Sequence, residues 1–490
     1  MKNRKKTAPP ALENTRWSGV PEENNVWKEY PRPAMARDSY WNLNGIWDYR
    51  ISADSGIPPA YDGTILVPFS PESPLSGVKR QLLPGEYLWY RRRLTLPGDR
   101  KGKRVILHFG AVDQECVVYL NGREAGSHAG GYLPFSLDIT EYAGDDNELL
   151  VRVQDFSDSS YFSRGKQKLE KGGMFYTAQS GIWQTVWMEF TPAAHICSVQ
   201  YYPNVAEGSV TIKAVVEGEG IFSAAASYEG TACGSASART DSGNVIVTIP
   251  LSEIHLWEAG AGRLYDLQLS FGDDKVSSYF GLREVKLDGY RFLINGKSVF
   301  QRLILDQGFY PDGIYTAPSD EALVNDIRLS MAAGFNGARL HQKVFEPRFL
   351  YHCDRLGYLA WGEMANWGFD HSSYSGYEAF IPEWIQSIER DFNHPAIVGW
   401  CPFNETWDFE GRRQIDSLLA LTWKITKQYD TTRPCIDTSG NYHVVTDIFD
   451  VHDYEQDPEA FAATYEPFKN GTGVFHDRLG DRQQYKEGQA

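Results

Sequence analysis

Residues 393–407, NHPAIVGWCPFNETW, decide how the rest of the chain is interpreted. The apolar run Ala396–Cys401 is typical of a strand buried on both faces, as the strands of parallel sheets are. Asn404 and Glu405 follow it, so an amide and a carboxylic acid stand side by side at the carboxyl end of that strand. Parallel α/β folds and barrels place their functional groups at these strand ends. The stretch therefore predicts a functional carboxyl group in an α/β domain.

Three aromatic residues surround Glu405 in the sequence: Trp400, Phe403 and Trp407. An apolar wall disfavours the charged form of a carboxyl group and raises its pKa, which suits a general acid working near neutral pH. The alternative is that Glu405 only caps the following helix, and for an isolated Asn-Glu pair that interpretation is preferred. The preceding strand and the aromatic residues favour the acid.

Length and charge limit the classes of protein that fit. The 490 residues suffice for two to four domains. The net charge of −16 at pH 7 argues against nucleic acid and anionic membranes as partners, because their phosphates would be repelled. Aromatic residues make up 14 % of the chain, which fits either stacking on sugar rings or a large all-β core.

The cysteine spacing and the amino-terminal sequence indicate the cellular compartment in which the protein is expected. The six cysteines show no CxxC motif or close pairing, which favours reduced core thiols over disulfides or a zinc site; they are Cys116, Cys197, Cys233, Cys353, Cys401 and Cys435. Residues 1–10 are basic but lack the apolar segment of a signal peptide, and no run of eighteen apolar residues follows. We expect a soluble, cytoplasmic protein; a leader removed from the chain would instead indicate a periplasmic or secreted one.

The first 285 residues divide into three predicted parts. Residues 1–36 contain prolines that forbid long helices and are expected to be extended. Residues 37–192 show short alternating strands separated by tight turns, typical of a jelly-roll sandwich, with strands at Val105–Phe109, Glu115–Leu120 and Glu148–Val153. Residues 193–285 repeat the pattern on the scale of an immunoglobulin-like sandwich, with strands at Ser209–Val216, Asn244–Ile249 and Leu264–Leu269.

In residues 286–490 strands alternate with amphipathic helices. The predicted strands are Gln301–Leu305, Asn336–Leu340, Tyr358–Glu363, Ile397–Phe403, Cys435–Thr438 and Ile448–His452, and the predicted helices are Ser319–Ala333, Glu346–Leu356, Tyr377–Phe392 and Gly411–Tyr429. Repeated β/α units predict a TIM (β/α)₈ barrel rather than a doubly wound sheet, which would carry a Gly-rich phosphate turn. Such a barrel takes about 250 residues and eight strands. With about six strands, we expect this chain to stop before the barrel closes.

Three motifs carry a family resemblance. They are WNLNGIW at residues 41–47, QSGIWQTVW at residues 179–187, and the Asn-His-Pro…Asn-Glu segment of residues 393–405. Together with the order of domains, they make the chain similar to glycoside hydrolase family 2, which contains β-galactosidases, β-glucuronidases and β-mannosidases. The resemblance extends from about Thr15 onward, and its middle sandwich is generic.

The resemblance implies a retaining exo-β-glycosidase that removes terminal non-reducing sugars with two carboxylic acids. Glu405 would be the acid/base that protonates the leaving glycosidic oxygen and later deprotonates water. Asn404 would hydrogen-bond the sugar 2-hydroxyl. The resemblance implies no cofactor, and it leaves a divalent or sodium ion open.

Other strand ends supply candidate substrate-binding residues. Arg339 and His341 alternate along the second strand, so both are expected at the barrel mouth; alternatively, Arg339 only balances buried carboxylates. Glu363 is expected to bind sugar hydroxyls, to hold a metal as in some relatives, or to serve as a structural ion-pair partner. Asp306 ends the first strand, and Trp367 is a candidate for stacking on the sugar.

His452 and Tyr454 resemble the family's pair that flanks the sugar, where the tyrosine usually hydrogen-bonds the nucleophile. That nucleophile, a Glu at the end of the seventh strand, is not found. The carboxylates after Tyr454 follow no apolar strand; they are Glu455, Asp457, Glu459, Glu466, Asp477, Asp481 and Glu487. Glu363 lies on a neighbouring strand but has no family precedent in that role. We therefore expect weak activity compared with a complete relative.

The substrate and the class of protein stay open at this point. A galactoside is favoured because galactosidases are common in the family. A glucuronide is second, since it requires a cationic group to bind its carboxylate, and the group that the family usually provides lies beyond residue 490. A mannoside is the third candidate substrate. The alternative class is a non-catalytic carbohydrate-binding protein with a degenerate barrel. Carbohydrate is the expected partner in either case, and a homo-oligomer stays open.

Overall fold

A computed structural model describes Trp17, residues 25–241 and residues 243–473. The predicted extended segment 1–36 is therefore covered only at Trp17 and from residue 25 onward. The carboxylates of Asp477, Asp481 and Glu487 lie outside the described residues. Within the residues that are described, no helix has the length and apolar character needed to cross a bilayer.

The first domain is a β-sandwich. Its strands are β1 (Tyr40–Asn42), β2 (Gly45–Ser52), β3 (Gly63–Val67), β4 (Tyr87–Thr95), β5 (Arg104–Phe109), β6 (Val112–Asp113), β7 (Glu115–Leu120), β8 (Arg123–Ala129), β9 (Phe135–Asp138), β10 (Asp146–Gln154), β11 (Gln167–Lys168), β12 (Tyr176–Thr177), β13 (Gly181–Ile182) and β14 (Val186–Thr191). The two main sheets have the orders β3-β2-β4-β10-β7-β8 and β1-β14-β5-β9. Burial alternates along β7, which confirms the predicted strand.

The second domain is a smaller sandwich. Its strands are β15 (His195–Asn204), β16 (Ser209–Glu217), β17 (Gly220–Tyr228), β18 (Thr231–Thr240), β19 (Asn244–Pro250), β20 (Tyr265–Phe271) and β21 (Asp274–Phe280). They form a sheet β15-β16-β19 and a sheet β18-β17-β20-β21. Cys197 is exposed, against the expectation of core thiols, because β15 has a register shift between Ile196 and Ser198. The other five cysteines are buried, and all six are unpaired.

The third domain is the TIM-barrel domain. An antiparallel entry sheet contains β22 (Val285–Asp288), β23 (Arg291–Ile294) and β24 (Lys297–Ser298). The parallel strands are β25 (Leu303–Asp306), β26 (Gly337–Leu340), β27 (Leu359–Glu363), β28 (Ile397–Cys401), β29 (Phe403–Asn404) and β30 (Thr438–Ser439). The helices are α1 (Asp320–Ala332), α2 (Pro347–Leu356), α3 (Tyr374–Asp391), α4 (Asp416–Tyr429) and α5 (Pro458–Tyr465).

The parallel strands lie side by side in the same order in which they occur along the chain. β25 to β28 are hydrogen-bonded in sequence order, and β29, the continuation of β28, pairs in parallel with β30. Ser319 caps α1 by accepting a hydrogen bond from the Ala322 N–H, so the predicted helix start is confirmed. The described residues thus form five neighbouring strand positions of the barrel.

Three predicted elements differ in the structure. The strand expected at Cys435–Thr438 is observed only as Thr438–Ser439, with an isolated bridge between Cys435 and Trp400. The segment 448–452 forms no strand, since its polar groups bind side chains and loops instead: Asp450 accepts hydrogen bonds from Ser439 Oγ and the Gly440 N–H. The helix expected from Gly411 begins at Asp416, because residues 408–412 form a turn closed by hydrogen bonds between Phe409 and Arg412.

Candidate active site

Four residues at or just after the ends of adjacent barrel strands meet at the barrel mouth. Arg339 is on β26, Glu363 ends β27, and Asn404 ends β29 with Glu405 directly after it. Arg339 Nε donates to Glu363 Oε2 at 2.8 Å, and its Nη2 donates to Asn404 Oδ1. The parallel register therefore gathers residues more than sixty positions apart into one cluster.

Glu405 has an unusual backbone conformation. Its φ is +42°, in the left-handed region that non-glycine residues rarely adopt. Its N–H donates to the Ser439 carbonyl oxygen at 3.0 Å, which ties the residue to the end of β30. Strain of this kind is typical of functional positions, where the surrounding structure holds one side chain in a fixed direction.

The Glu405 carboxylate is only partly buried, with 18 % of its side chain exposed. Its Oε1 lies 2.6 Å from His452 Nδ1 and accepts a hydrogen bond from the Tyr454 hydroxyl at 3.2 Å. Tyr454 itself is exposed. The predicted pair His452 and Tyr454 is thus brought to the acid/base candidate, although neither lies on a strand.

The prediction that aromatic surroundings raise the pKa of Glu405 is wrong. Burial raises it, but the hydrogen bond and charge of His452, with smaller contributions from Tyr454 and Lys166, outweigh burial and hold the pKa below its ordinary value. The aromatic wall is missing because Trp400 packs on Trp384 and Phe403 stacks on Phe380 of α3.

Glu363 is the fully buried centre of the polar cluster. Its Oε1 accepts from the Gln342 N–H at 3.0 Å and lies 3.0 Å from His341 Nδ1, while Oε2 accepts from Arg339. Burial raises the pKa of Glu363, but Arg339 and His341 outweigh it and hold the pKa below the ordinary value. Both oxygens are occupied by donors, so a cation at Glu363, which the sequence left open, does not fit.

Two residues that the sequence does not single out, Asn366 and Gln342, position Asn404. Asn366 Oδ1 accepts from the Asn404 N–H at 2.9 Å, and its Nδ2 donates to the Asn404 carbonyl oxygen at 3.1 Å. Gln342 Oε1 in turn accepts from the N–H groups of Asn366 and Trp367. The only signal in the sequence is that both residues follow predicted strand ends by two or three positions.

His452 is held from its other side. Its Nε2 lies 3.1 Å from Ser439 Oγ and 3.4 Å from Arg339 Nη1. Behind Ser439, Asp450 pairs with His443. Burial opposes the charge on His443, but Asp437 and Asp450 outweigh it and raise its pKa to about 10. The imidazole of His452 therefore stands between a fixed polar network and the Glu405 carboxylate.

The two remaining candidates differ in position. Trp367 lines the mouth, with its ring 5.1 Å from that of Trp407 and from Lys166 Nζ of the first sandwich. Asp306 accepts a hydrogen bond from the Gly308 N–H, and its charged neighbours include Asp326 and Lys343. Among the described residues, no hydrogen bond or ion pair joins its side chain to Glu405 or Glu363.

One group of possible metal ligands occurs elsewhere in the described part of the chain. His195, Cys197 and Glu217 bring their ligand atoms within 4.8 Å of one another on β15 and β16. Arg104 pairs with Glu217, which disfavours a cation there. The group lies in the second sandwich and has no part in the barrel mouth.

A jelly roll, an immunoglobulin-like sandwich and a TIM barrel with Asn-Glu at the end of its fourth strand define a class of multidomain carbohydrate-active proteins. Residues 82–192 match the sugar-binding domain of glycosyl hydrolases family 2, and residues 285–471 match the TIM-barrel domain of the same family. The chain belongs to glycoside hydrolase family 2.

Sequence relatives carry two activities in their names. A putative β-glucuronidase of Formosa agariphila is 26 % identical over 369 residues, which cover 70 % of this chain and 44 % of that protein. A β-galactosidase of Thermoanaerobacter pseudethanolicus is 28 % identical over 342 residues, covering 65 % and 45 % respectively. The chain thus spans about half the length of these two relatives.

Solved structures share the fold. The β-glucuronidase of Ruminococcus gnavus in complex with an N1-substituted uronic isofagomine superposes with a TM-score of 0.74 at 19 % identity, over 91 % of this chain and 82 % of that one. The β-glucuronidase of Bacteroides uniformis gives 0.72 at 22 % identity, over 88 % and 58 %.

Proposed function

We propose that the protein is an exo-β-glycosidase of the retaining type, in which Glu405 is the acid/base and Asn404 binds the sugar next to the scissile bond. The observation that supports it most is the fixed position of Glu405. Its backbone is held in the left-handed region beside Asn404, and its carboxylate is hydrogen-bonded at a mouth lined by Arg339, His452 and Trp367.

The geometry supports a proton transfer through Glu405. For the first step the transferable proton must sit on Glu405 Oε2, the oxygen that His452 and Tyr454 do not contact, and it passes to the glycosidic oxygen as the bond to the leaving group breaks. After the leaving group departs, the ionised Glu405 accepts a proton from water. Because His452 stabilises the ionised form, Glu405 is ionised at neutral pH, as this second step requires, whereas the first step draws on its protonated fraction.

Two sugars enter the proposal. The sequence favoured a β-galactoside, but the named relatives include β-glucuronidases as well as β-galactosidases, so a β-glucuronide is supported at least equally. No relative named above acts on a mannoside, and we leave that substrate out. Carbohydrate is the proposed partner of the barrel mouth in both cases.

One observation favours the alternative of a non-catalytic carbohydrate-binding protein. A retaining mechanism needs a second carboxylate about 5–5.5 Å from the acid/base. Glu363, the carboxylate at the end of the neighbouring strand, has no exposed side-chain surface, and both of its oxygens accept hydrogen bonds. Among the described residues we assign no nucleophile.

Hydrolysis of 4-nitrophenyl β-D-galactoside and β-D-glucuronide separates the two functions. The enzyme proposal predicts release of nitrophenol from one of them and its loss in Glu405→Gln, with Glu410→Gln, an exposed carboxylate five positions away, as control. Binding of the free sugars without any turnover would support the binding protein and contradict the enzyme.

A further inference from the structure

A loop of the first sandwich, residues 155–175, reaches the barrel mouth. Gly165 shows how closely it approaches: a Cβ there would lie 2.4 Å from the Gln342 carbonyl oxygen and 2.7 Å from the Tyr315 hydroxyl. Arg164 braces the loop by donating to the carbonyl oxygens of Ser157 and Ser160 at 3.1 and 3.0 Å. The loop is therefore fixed against the barrel rather than free in solvent.

The loop carries Lys166 to a position above the active site. Its Nζ lies 5.1 Å from the centroid of the Trp367 ring, a distance at which the aromatic face attracts the ammonium. The backbone of Trp367 is itself held, because its main-chain N–H donates to Gln342 Oε1 at 2.8 Å. The side chain is half-buried, so its charge is partly withdrawn from water.

The Lys166 ammonium has no anionic partner of its own. Within the described part of the chain, no carboxylate oxygen lies within 4.0 Å of Lys166 Nζ, the distance expected of an ion pair. Burial lowers its pKa, and the charges of Glu405 and Glu363 act in the opposite direction. Those two carboxylates are bound elsewhere, Glu405 to His452 and Glu363 to Arg339 and His341.

Two arginines near the mouth are already paired with carboxylates. Arg339 is bound to Glu363 and Asn404, and Arg412 is bound to Asp370. Lys168 lies over the Phe175 ring at 4.2 Å, further along the loop. Among these cations of the described residues, Lys166 is the one that lies over Trp367 and feels the charges of Glu405 and Glu363, and its donors are available to a molecule resting there.

We propose that Lys166 binds a carboxylate carried by the terminal sugar, and that the protein therefore prefers a β-linked uronic acid to a neutral β-glycoside. This rests on the proposed function, which places that sugar beside Glu405. A charge-assisted hydrogen bond at a partly desolvated position is stronger than one to a neutral hydroxyl, so it discriminates the carboxylate from a hydroxymethyl group.

Kinetics of Lys166→Met test the proposal. We expect kcat/KM for 4-nitrophenyl β-D-glucuronide to fall about 10- to 100-fold, mainly through KM, with a change of less than about threefold for the matching β-D-glucoside. Lys166→Arg, which keeps the charge, restores much of the loss, and the control Lys168→Met changes neither substrate. Equal losses on both substrates, or no loss on the glucuronide, would overturn it.

Calorimetric binding of D-glucuronic acid and D-glucose provides a readout that needs no turnover. These sugars differ at C6, and we expect the acid to bind about tenfold more tightly or better, an advantage that Lys166→Met removes. If this holds but no glycoside is cleaved, the enzyme proposal fails while the carboxylate site stands. If D-glucuronic acid binds no more tightly than D-glucose, the carboxylate site is refuted.

Discussion

Glu405 shows how a local sequence pattern places a residue correctly while misjudging its chemistry. Its position at a strand end followed from the apolar run before it. Its surroundings did not, because successive side chains of a strand point to opposite faces and neighbours in sequence are often on the far side. Trp400 illustrates this: its indole N–H donates to Asp430 at 2.8 Å inside the core. A histidine 47 positions away took the place of the expected aromatic wall.

Replacing His452 by Leu tests what sets the ionisation of Glu405. The substitution removes the contact that holds the pKa of Glu405 low, so that pKa rises. Because the acid must be protonated to assist departure of the leaving group, we expect the alkaline fall of kcat/KM to move to higher pH.

The pH–rate profile of the variant provides the measurement. His255→Asn, in the second sandwich, is the control and should leave the profile unchanged. If the alkaline fall of kcat/KM in His452→Leu stays at the same pH or moves to lower pH, His452 does not set the pKa of Glu405.

At the scale of elements, regular strands and helices can be predicted from the sequence, whereas the loops that connect them are harder to predict. The strand β7 and the start of α1 followed from alternation and a capping serine. The loop carrying Lys166 showed no signal, since its position depends on the contact of Gly165 with the barrel. Segment 448–452 has the β-branched and apolar residues of a strand but forms none, because its hydrogen bonds are made to loops.

Helix α3 carries a buried carboxyl group where it packs on the first sandwich. Glu383 is 6 % exposed and lies against Gly130, where a Cβ would come within 2.4 Å of its Oε1. Burial raises the pKa of Glu383 to about 7, with the Ser163 side chain and the Gly131 backbone opposing. The folded protein therefore holds a proton there that the unfolded chain releases above about pH 4.3.

Glu383→Gln is expected to stabilise the protein at alkaline pH. A carboxyl group with a raised folded pKa costs stability as pH rises from its unfolded pKa to its folded one, and the cost stays constant above that. The variant should gain about 3 kcal/mol at pH 8 and almost nothing at pH 4.

Denaturant unfolding of the protein and the variant at both pH values measures this gain. Glu389→Gln, an exposed carboxylate on the same helix, is the matched control and should behave like the parent at each pH. A gain in Glu383→Gln that is equal at pH 4 and pH 8 would contradict the account.

At the scale of the whole molecule, the second sandwich and the barrel share a buried polar junction. Asp354 of α2 has no exposed surface and accepts hydrogen bonds from the Tyr279 hydroxyl at 2.8 Å and the Ala396 N–H at 2.8 Å. His394 Nδ1 lies 2.6 Å from its Oδ2. One carboxylate therefore links a strand of the sandwich, a helix and the segment that leads into β28.

Asp354→Ala is expected to lower the free energy of unfolding by about 3–5 kcal/mol, the usual cost of removing one partner from a buried ionic network. Thermal unfolding followed by near-ultraviolet circular dichroism measures it. Asp288→Ala removes an exposed carboxylate that pairs with the exposed Arg291 and should change stability by less than about 1 kcal/mol. Equal effects of the two substitutions would rule out the junction.

The order of the three domains was predictable because each has its own periodicity. The contacts between them were not, since Tyr279, Asp354 and His394 come from different domains and nothing in their local sequence pairs them. The chemistry of the mouth also depends on such contacts, because Lys166 and His452 approach Glu405 from outside the strands.

Comparing leaving groups in Glu405→Gln tests the central claim most directly. A general acid is needed when the leaving oxygen is basic and is dispensable when it is a good leaving group. We predict that kcat/KM falls about 10²- to 10⁴-fold for a methyl glycoside and much less for the 2,4-dinitrophenyl glycoside of the same sugar. Equal losses on both substrates, or unchanged hydrolysis of the methyl glycoside, would contradict Glu405 as the acid/base.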